Sequence, residues 1–154
     1  MRSTEQQTWP LLLERMPAAR LHVFGELRAA APGVTLHATP SAADAAFANG
    51  ATMVVPLAVA SGVRIKILEA WARGVPVAAT PAAAQGLDAA DGEELLIAEQ
   101  GEPLAAALAT LAVDGALRER LRAAGRARLR RRHDPARIAR DLLHSYFDLA
   151  ADGG

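Results

Sequence analysis

The apolar positions follow a helical period in some stretches and form short β-rich runs in others, and the two kinds of stretch alternate. Trp9, Leu12, Leu13 and Met16 recur at helical spacing with Pro17 behind them, which predicts a helix over 4–16. "RLHVFG" (20–25) and "VTLHAT" (34–39) are β-rich runs divided by a turn at Pro32 and Gly33, and they predict two strands. In "SAADAAFANG" the cap residue Ser41, Asp44 in the first turn and Gly50 behind predict a short helix. "TMVVPL" (52–57) is apolar without alternation, the pattern of a strand buried on both faces of a parallel sheet. A helix from Gly62 to about Arg73 follows, stopped by Gly74; "VPVAAT" (75–80) and "ELLIAE" (94–99) then read as further strands. The remainder reads as helices over 101–113, 115–130 and 136–150, with Pro103 and Pro135 tolerated near helix starts.

Strands alternating with helices predict an α/β fold: a three-layer, doubly wound, mainly parallel Rossmann-like sheet of about five strands, closed by a helical carboxyl-terminal segment. The 154 residues fit one domain, expected over 4–150, with a fraying tail at 151–154. Alanine supplies 37 of them, which favours helices and their close approach. Cysteine is absent, so disulfides, thiolate metal sites and cysteine nucleophiles are excluded and a cytoplasmic location is expected. The uncharged run 45–63 is interrupted by Asn49, Gly50, Pro56, Ser61 and Gly62 and reads as helix, strand and loop rather than a membrane span. The amino terminus lacks the apolar stretch of a signal peptide.

Acidic and basic residues balance at 17 each, so net charge draws the molecule to no polyanion. Ten of the 16 arginines nevertheless fall between Arg118 and Arg140. Arg118, Arg122 and Arg126, opposite Leu117, Leu121 and Ala124, follow the course of a solvated helical face. Peripheral contact with an anionic membrane at its inner face is the functional alternative. Nucleic acid fits less well, because no aromatic residues interleave with the arginines.

In an open α/β sheet, ligands bind beyond the carboxyl ends of the strands, at the starts of the following helices. "SGVRIKILEAWARG" stands at such a place, and it holds Lys66, the single lysine of the chain. Gly62 permits close backbone approach, the first helical amides near Val63 to Ile65 are free donors for a phosphate, and Arg64 and Lys66 add positive charge. Lys66 and Glu69 share one helical face, while Ile65, Leu68 and Ala72 are expected to form the buried one. By spacing alone, the simpler reading of Lys66 and Glu69 is a surface ion pair worth roughly 0.3 kcal/mol.

The string "GVRIKILEAWARGVPVAATPAAAQGL" together with "DGEELLIAE" resembles the carboxyl-terminal, nucleotide-sugar-binding half of the family 4 glycosyltransferases, which have the GT-B fold. "WPLLLERMPAARLHVFG" and "LRERLRAAGRARLRRRHD" extend the resemblance over nearly the whole chain. It implies the donor-binding domain of a retaining hexosyltransferase that uses a nucleotide-diphosphate sugar and needs no metal or other cofactor. It also implies roles: Glu69 for the ribose hydroxyls, Gly62, Val63 and Arg64 for the diphosphate and sugar, Lys66 as the lysine of an R-x-K element. Weaker donor-side positions are Gly25, Ala38, Thr39 and Ser61, and no residue is assigned as catalytic.

Two departures from the family pattern stand out. Ser61 occupies the place of the first of two paired glutamates, as in some other members of the branch. The acceptor-binding half and the first strand of the donor half have no counterpart, so the chain is expected to need an amino-terminal acceptor domain or a homodimer for turnover. Either the chain is a fragment, or the strands flanking the gap meet directly, or another chain fills it. The alternative function is a degenerate GT-B-derived interaction module that binds a partner protein or anionic membrane. His22 and His37 lie on neighbouring strands and could approach one another; without a carboxylate they read as core or rim residues before metal ligands. Asp88, Asp91, Glu93 and Glu94 form an acidic loop that could chelate magnesium but reads first as a solvated loop. Trp71 reads as core or interface, and Tyr146 and Phe147 as docking residues of the last helix or a dimer contact.

Overall fold

The computed structural model describes residues 7–24, 31–38, 47, 50–57 and 64–132. The helix expected over 41–50, the helix expected over 136–150, the tail, Tyr146 and Phe147 lie outside the described residues, apart from Phe47 and Gly50. In chain order the elements are α1 (Trp9–Arg15), β1 (Leu21–Phe24), β2 (Val34–His37), β3 (Met53–Val55), α2 (Arg64–Arg73), β4 (Val77–Ala79), α3 (Pro81–Ala84), β5 (Leu96–Ile97), α4 (Glu102–Val113) and α5 (Gly115–Arg132). The short helix α3, begun by a proline at its first position, is not among the elements expected from the sequence pattern.

The five strands among the described residues are all parallel and divide into two sheets, β1–β2 and β3–β4–β5. β1 and β3 therefore do not pair with each other, which removes direct meeting of the two strands from the alternatives for the gap. β4 is the most buried strand, and its alternation assigns its faces: Val77 and Ala79 enter a cluster with Ile67, Ala70 and Trp71 of α2, whereas Ala78 enters a second with Leu104 and Leu111 of α4 and Leu121 of α5. Helices thus cover both faces of the three-stranded sheet, as its apolar, non-alternating strands require.

A third cluster holds β1–β2. Trp9 and Leu12 of α1 pack with Ala105 of α4, and Leu21 and Val34 complete it. Two hydrogen bonds fix this arrangement. The Trp9 indole N–H donates to the Pro32 carbonyl at 2.7 Å, tying α1 to the turn before β2. The buried Thr8 hydroxyl accepts the Gly101 N–H at 2.9 Å, satisfying a donor at the start of α4 that has no intrahelical partner. An Arg15–Glu102 ion pair links the same helices at the surface.

The sequence pattern misassigned the inner face of α2. Ile67, Ala70 and Trp71 are buried, Leu68 is half-buried, Ala72 is exposed, and Ile65 keeps 66% of its surface. Apolar residues lie on every side of this helix, so spacing did not single out one stripe; the larger Trp71 and Ile67 took the core. α2 ends in a Schellman motif. The N–H of Val75 donates to the carbonyl of Ala70, that of Gly74 to Trp71, and Gly74 adopts φ +66°, a conformation that favours glycine.

Candidate functional site

The site is built around α2, because its core face fixes where its other residues stand. Ile67, Ala70 and Trp71 lock the helix onto Val55, Val77 and Ala79. Lys66 is then exposed in the first turn of the helix and Glu69 half-buried at its middle. They are not the ion pair that spacing allowed. Among the described residues, neither the Lys66 ammonium nor the Glu69 carboxylate has a hydrogen-bond or ion-pair partner. Arg73, one turn on from Glu69, places its guanidinium 4.8 Å from the centre of the Phe47 ring, which holds the far end of the same helix.

Arg64 is the first residue of α2, and the opening amides of this ten-residue helix have no intrahelical acceptor. Its side chain lies outside the description, as do Gly25, Thr39, Ser61, Gly62 and Val63. Ala38 is exposed directly after β2. The structure therefore brings Lys66 and Glu69 together on one helix with the amide end of α2, and it neither joins nor separates the remaining expected positions.

Two residues that the sequence did not single out brace the segment leading from β3 toward α2. The Thr80 hydroxyl, after β4, donates to the Leu57 carbonyl at 2.6 Å, and the Gln100 amide, after β5, donates to the Pro56 carbonyl at 2.7 Å. Both reach across the carboxyl ends of the strands, where an open α/β sheet places its ligands. Thr80 carried a partial signal, a threonine between an apolar run and Pro81; Gln100 carried none, since its partner is 44 residues away.

The acidic loop is exposed at Asp88, Asp91 and Glu93, as expected, and departs from that reading at Glu94. Glu94 is buried, accepts the Ala90 N–H at 3.0 Å and pairs with Arg128 of α5 at 3.3 Å. Arg128 also donates to the carbonyls of Leu87 and Asp88, and Asp91 accepts the Ile97 N–H at 2.7 Å. Glu94 thus holds the loop against α5, while Asp91 closes the loop onto β5. Among the described residues, no group of three or more histidines, cysteines, aspartates or glutamates converges to hold a metal. Likewise, no described helix is long and apolar enough to cross a membrane.

Comparison with known proteins bears on this geometry. The family described as Glycosyl transferase-like matches residues 5–144. No curated protein matches the chain in sequence. Among solved structures, a sucrose-phosphate synthase from Thermosynechococcus elongatus superposes with a TM-score of 0.72 at 21% identity, covering 95% of this chain and 42% of its own. The C-terminal domain of a glycosyl transferase group 1 family protein from Francisella tularensis superposes with a TM-score of 0.57 at 18% identity, covering 88% of this chain and 83% of its own. At these identities the two structures establish the fold. The chain spans less than half the length of the synthase.

Proposed function

Since the chain belongs to the glycosyl transferase-like family, we propose that it is the donor-binding domain of a retaining glycosyltransferase that uses a nucleotide-diphosphate sugar. The observation that supports the reading is that Lys66 and Glu69 stand on the helix that opens beyond β3, with no ion pair between them and no other partner among the described residues. In this reading the α2 amides, with Arg64 and Lys66, stabilise the departing nucleoside diphosphate, and Glu69 accepts hydrogen bonds from its ribose. Thr80 and Gln100 act as positioning residues, because they fix the carbonyls that lead into the site loop. A compact ammonium suits a point contact with phosphate, which gives the single lysine a reason among arginines.

Turnover in this reading awaits an acceptor domain joined at the amino-terminal side. The 42% share of the synthase that the chain covers supports a half-enzyme, as does its match to a structure titled as a C-terminal domain. Calorimetry at millimolar uridine and guanosine diphosphate sugars tests the proposal. Heat of binding that Glu69→Ala abolishes is expected; absence of heat with every donor, or heat indifferent to Glu69→Ala, overturns it.

A second reading, an interaction module for a partner or an anionic membrane, draws on the separation of β1 from β3 and on the exposed arginines Arg120, Arg130 and Arg132 of α5. Salt-sensitive co-sedimentation with anionic vesicles, together with indifference to nucleotide sugars, would favour the module over the donor domain.

A further inference from the structure

The donor reading makes no use of the two histidines on β1 and β2. Parallel register sets Phe24 beside His37 and His22 beside Thr35, and alternation puts all four on the face of the strand pair opposite Leu21 and Val34. His22 Nδ1 and His37 Nε2 meet at 2.9 Å, with ring centres 5.2 Å apart and planes 28° from parallel. That is an edge-to-edge N–H···N hydrogen bond across the strands. The Phe24 ring lies on the face of His37, with centres 4.5 Å apart and planes 13° from parallel. His22 is exposed and His37 half-buried, so protons reach the pair from solvent.

We propose that His22 and His37 form a proton-counting latch on β1–β2: the bond between them stays closed with no added proton or with one, and opens when both rings are cationic. The bond needs one donor and one acceptor. In the neutral pair either ring can donate. A first added proton makes one ring a cation, which strengthens the bond by charge assistance. The Phe24 face favours that cation on His37, because a positive ring is attracted to an aromatic π face. His37 Nε2–H then donates to His22 Nδ1, and neutral His22 keeps its own proton on Nε2. The second proton has only His22 Nδ1 left to occupy. It lands in the bond itself, so two N–H groups and two positive rings confront each other at hydrogen-bond distance and the rings must part.

Nothing charged among the described residues offsets that repulsion. No described carboxylate bonds to either ring. Along β1 the nearest described charge is Arg20, whose guanidinium donates to the Ala19 carbonyl at 2.9 Å and adds to the positive charge nearby. β2 carries no ionisable residue besides His37. α1 and α4 meet the strand pair through Leu21 and Val34, so Glu14 and the Arg15–Glu102 pair belong to its other side. Imidazole changes charge between about pH 5 and 8, so the latch answers to mild acidification. It is independent of the donor reading, because it acts on the two rings and the strand pair alone.

The test is a pH titration by nuclear magnetic resonance of the full chain, labelled with nitrogen-15 at its histidines, from about pH 8 to about pH 4. The parent is expected to show a coupling across the bond between His22 Nδ1 and His37 Nε2 at neutral pH and to keep it through the first step of proton uptake. It is expected to lose the coupling in a second step that begins only once His37 is charged. His22→Ala, and His37→Phe, which keeps the ring stack, assign the signals; in each, the remaining histidine of the pair takes up its proton in a single step. Urea unfolding over the same pH range reads the strand pair: the midpoint is expected to fall further in the parent than in His22→Ala, which has no latch to open. Absence of the coupling in the parent at every pH overturns the proposal, a reading that depends on no variant's folding. So does a coupling that survives full protonation of both rings, or an equal fall of the midpoint in the parent and His22→Ala.

Discussion

Gly125 of α5 lies flat against the indole of Trp71 on α2, and no side chain fits between them. A Cβ at position 125 would stand 2.8 Å from both Cγ and Nε1 of Trp71 and closer still to Cδ1. The indole has nowhere to retreat. It is 1% exposed, and its N–H donates to the Glu94 carbonyl at 3.2 Å. The contact seats α5 on α2, and through α2 it sets the helix that presents Lys66 and Glu69.

Gly125→Ala is therefore expected to destabilise the protein by about 1–3 kcal/mol through over-packing, outweighing the gain of about 1 kcal/mol that alanine brings to a helix interior. Urea denaturation followed by circular dichroism reads the difference as a lower midpoint at unchanged slope. An unchanged or raised midpoint would show that the indole can shift.

Arg128 and Glu94 form the second clasp between α5 and the loop before β5, with side chains only 15% and 6% exposed. Arg128→Met removes the cation and leaves a buried carboxylate without its partner, at a cost of about 3 kcal/mol. Adding Glu94→Gln removes the stranded charge and keeps an acceptor for the Ala90 N–H, so the double variant is expected to recover at least about 1 kcal/mol. Thermal unfolding of the four proteins in the cycle gives the coupling; additive losses would mean that the pair is not interacting.

Much of this architecture was legible because local patterns and tertiary structure agree. The non-alternating run at 52–57 and the Val/Ala run at 75–80 called for strands covered on both faces, and Gly74 marked the end of α2 correctly. Legibility failed where a partner is far along the chain. Nothing near Arg128 announces a buried carboxylate 34 residues earlier, and nothing near Gln100 announces the Pro56 carbonyl. It also failed where the helix offered too many apolar choices, as with Ile65. Lys66 and Glu69 were singled out by motif, while the absence of an ion pair between them required coordinates.

The corrected inner face of α2 makes a sharp contrast between two isoleucines two residues apart. Ile67 is fully buried, so Ile67→Ala is expected to cost about 2–5 kcal/mol through lost transfer energy and the cavity left behind. Ile65→Ala, at an exposed position, is expected to stay within about 0.5 kcal/mol of the parent. Paired denaturation curves decide; comparable losses at both positions would restore Ile65 to the core.

Lys66 gives the prediction that separates electrostatic binding from structure. It is exposed and unpartnered among the described residues, so Lys66→Ala is expected to leave stability within about 0.5 kcal/mol of the parent. If its ammonium contacts a diphosphate, the same change lowers donor affinity by about tenfold, and Lys66→Arg recovers only part of that because the forked guanidinium cannot take the same point contact. Ionic strength supplies the control. Raising salt from about 0.05 M to about 0.5 M weakens donor binding of the parent by screening an exposed charge and weakens that of Lys66→Ala less, because one screened contact is already gone. Calorimetric titrations at the two salt concentrations measure all of these effects. Parallel salt dependence in the two proteins would show that Lys66 does not touch the donor, whatever its place in the motif.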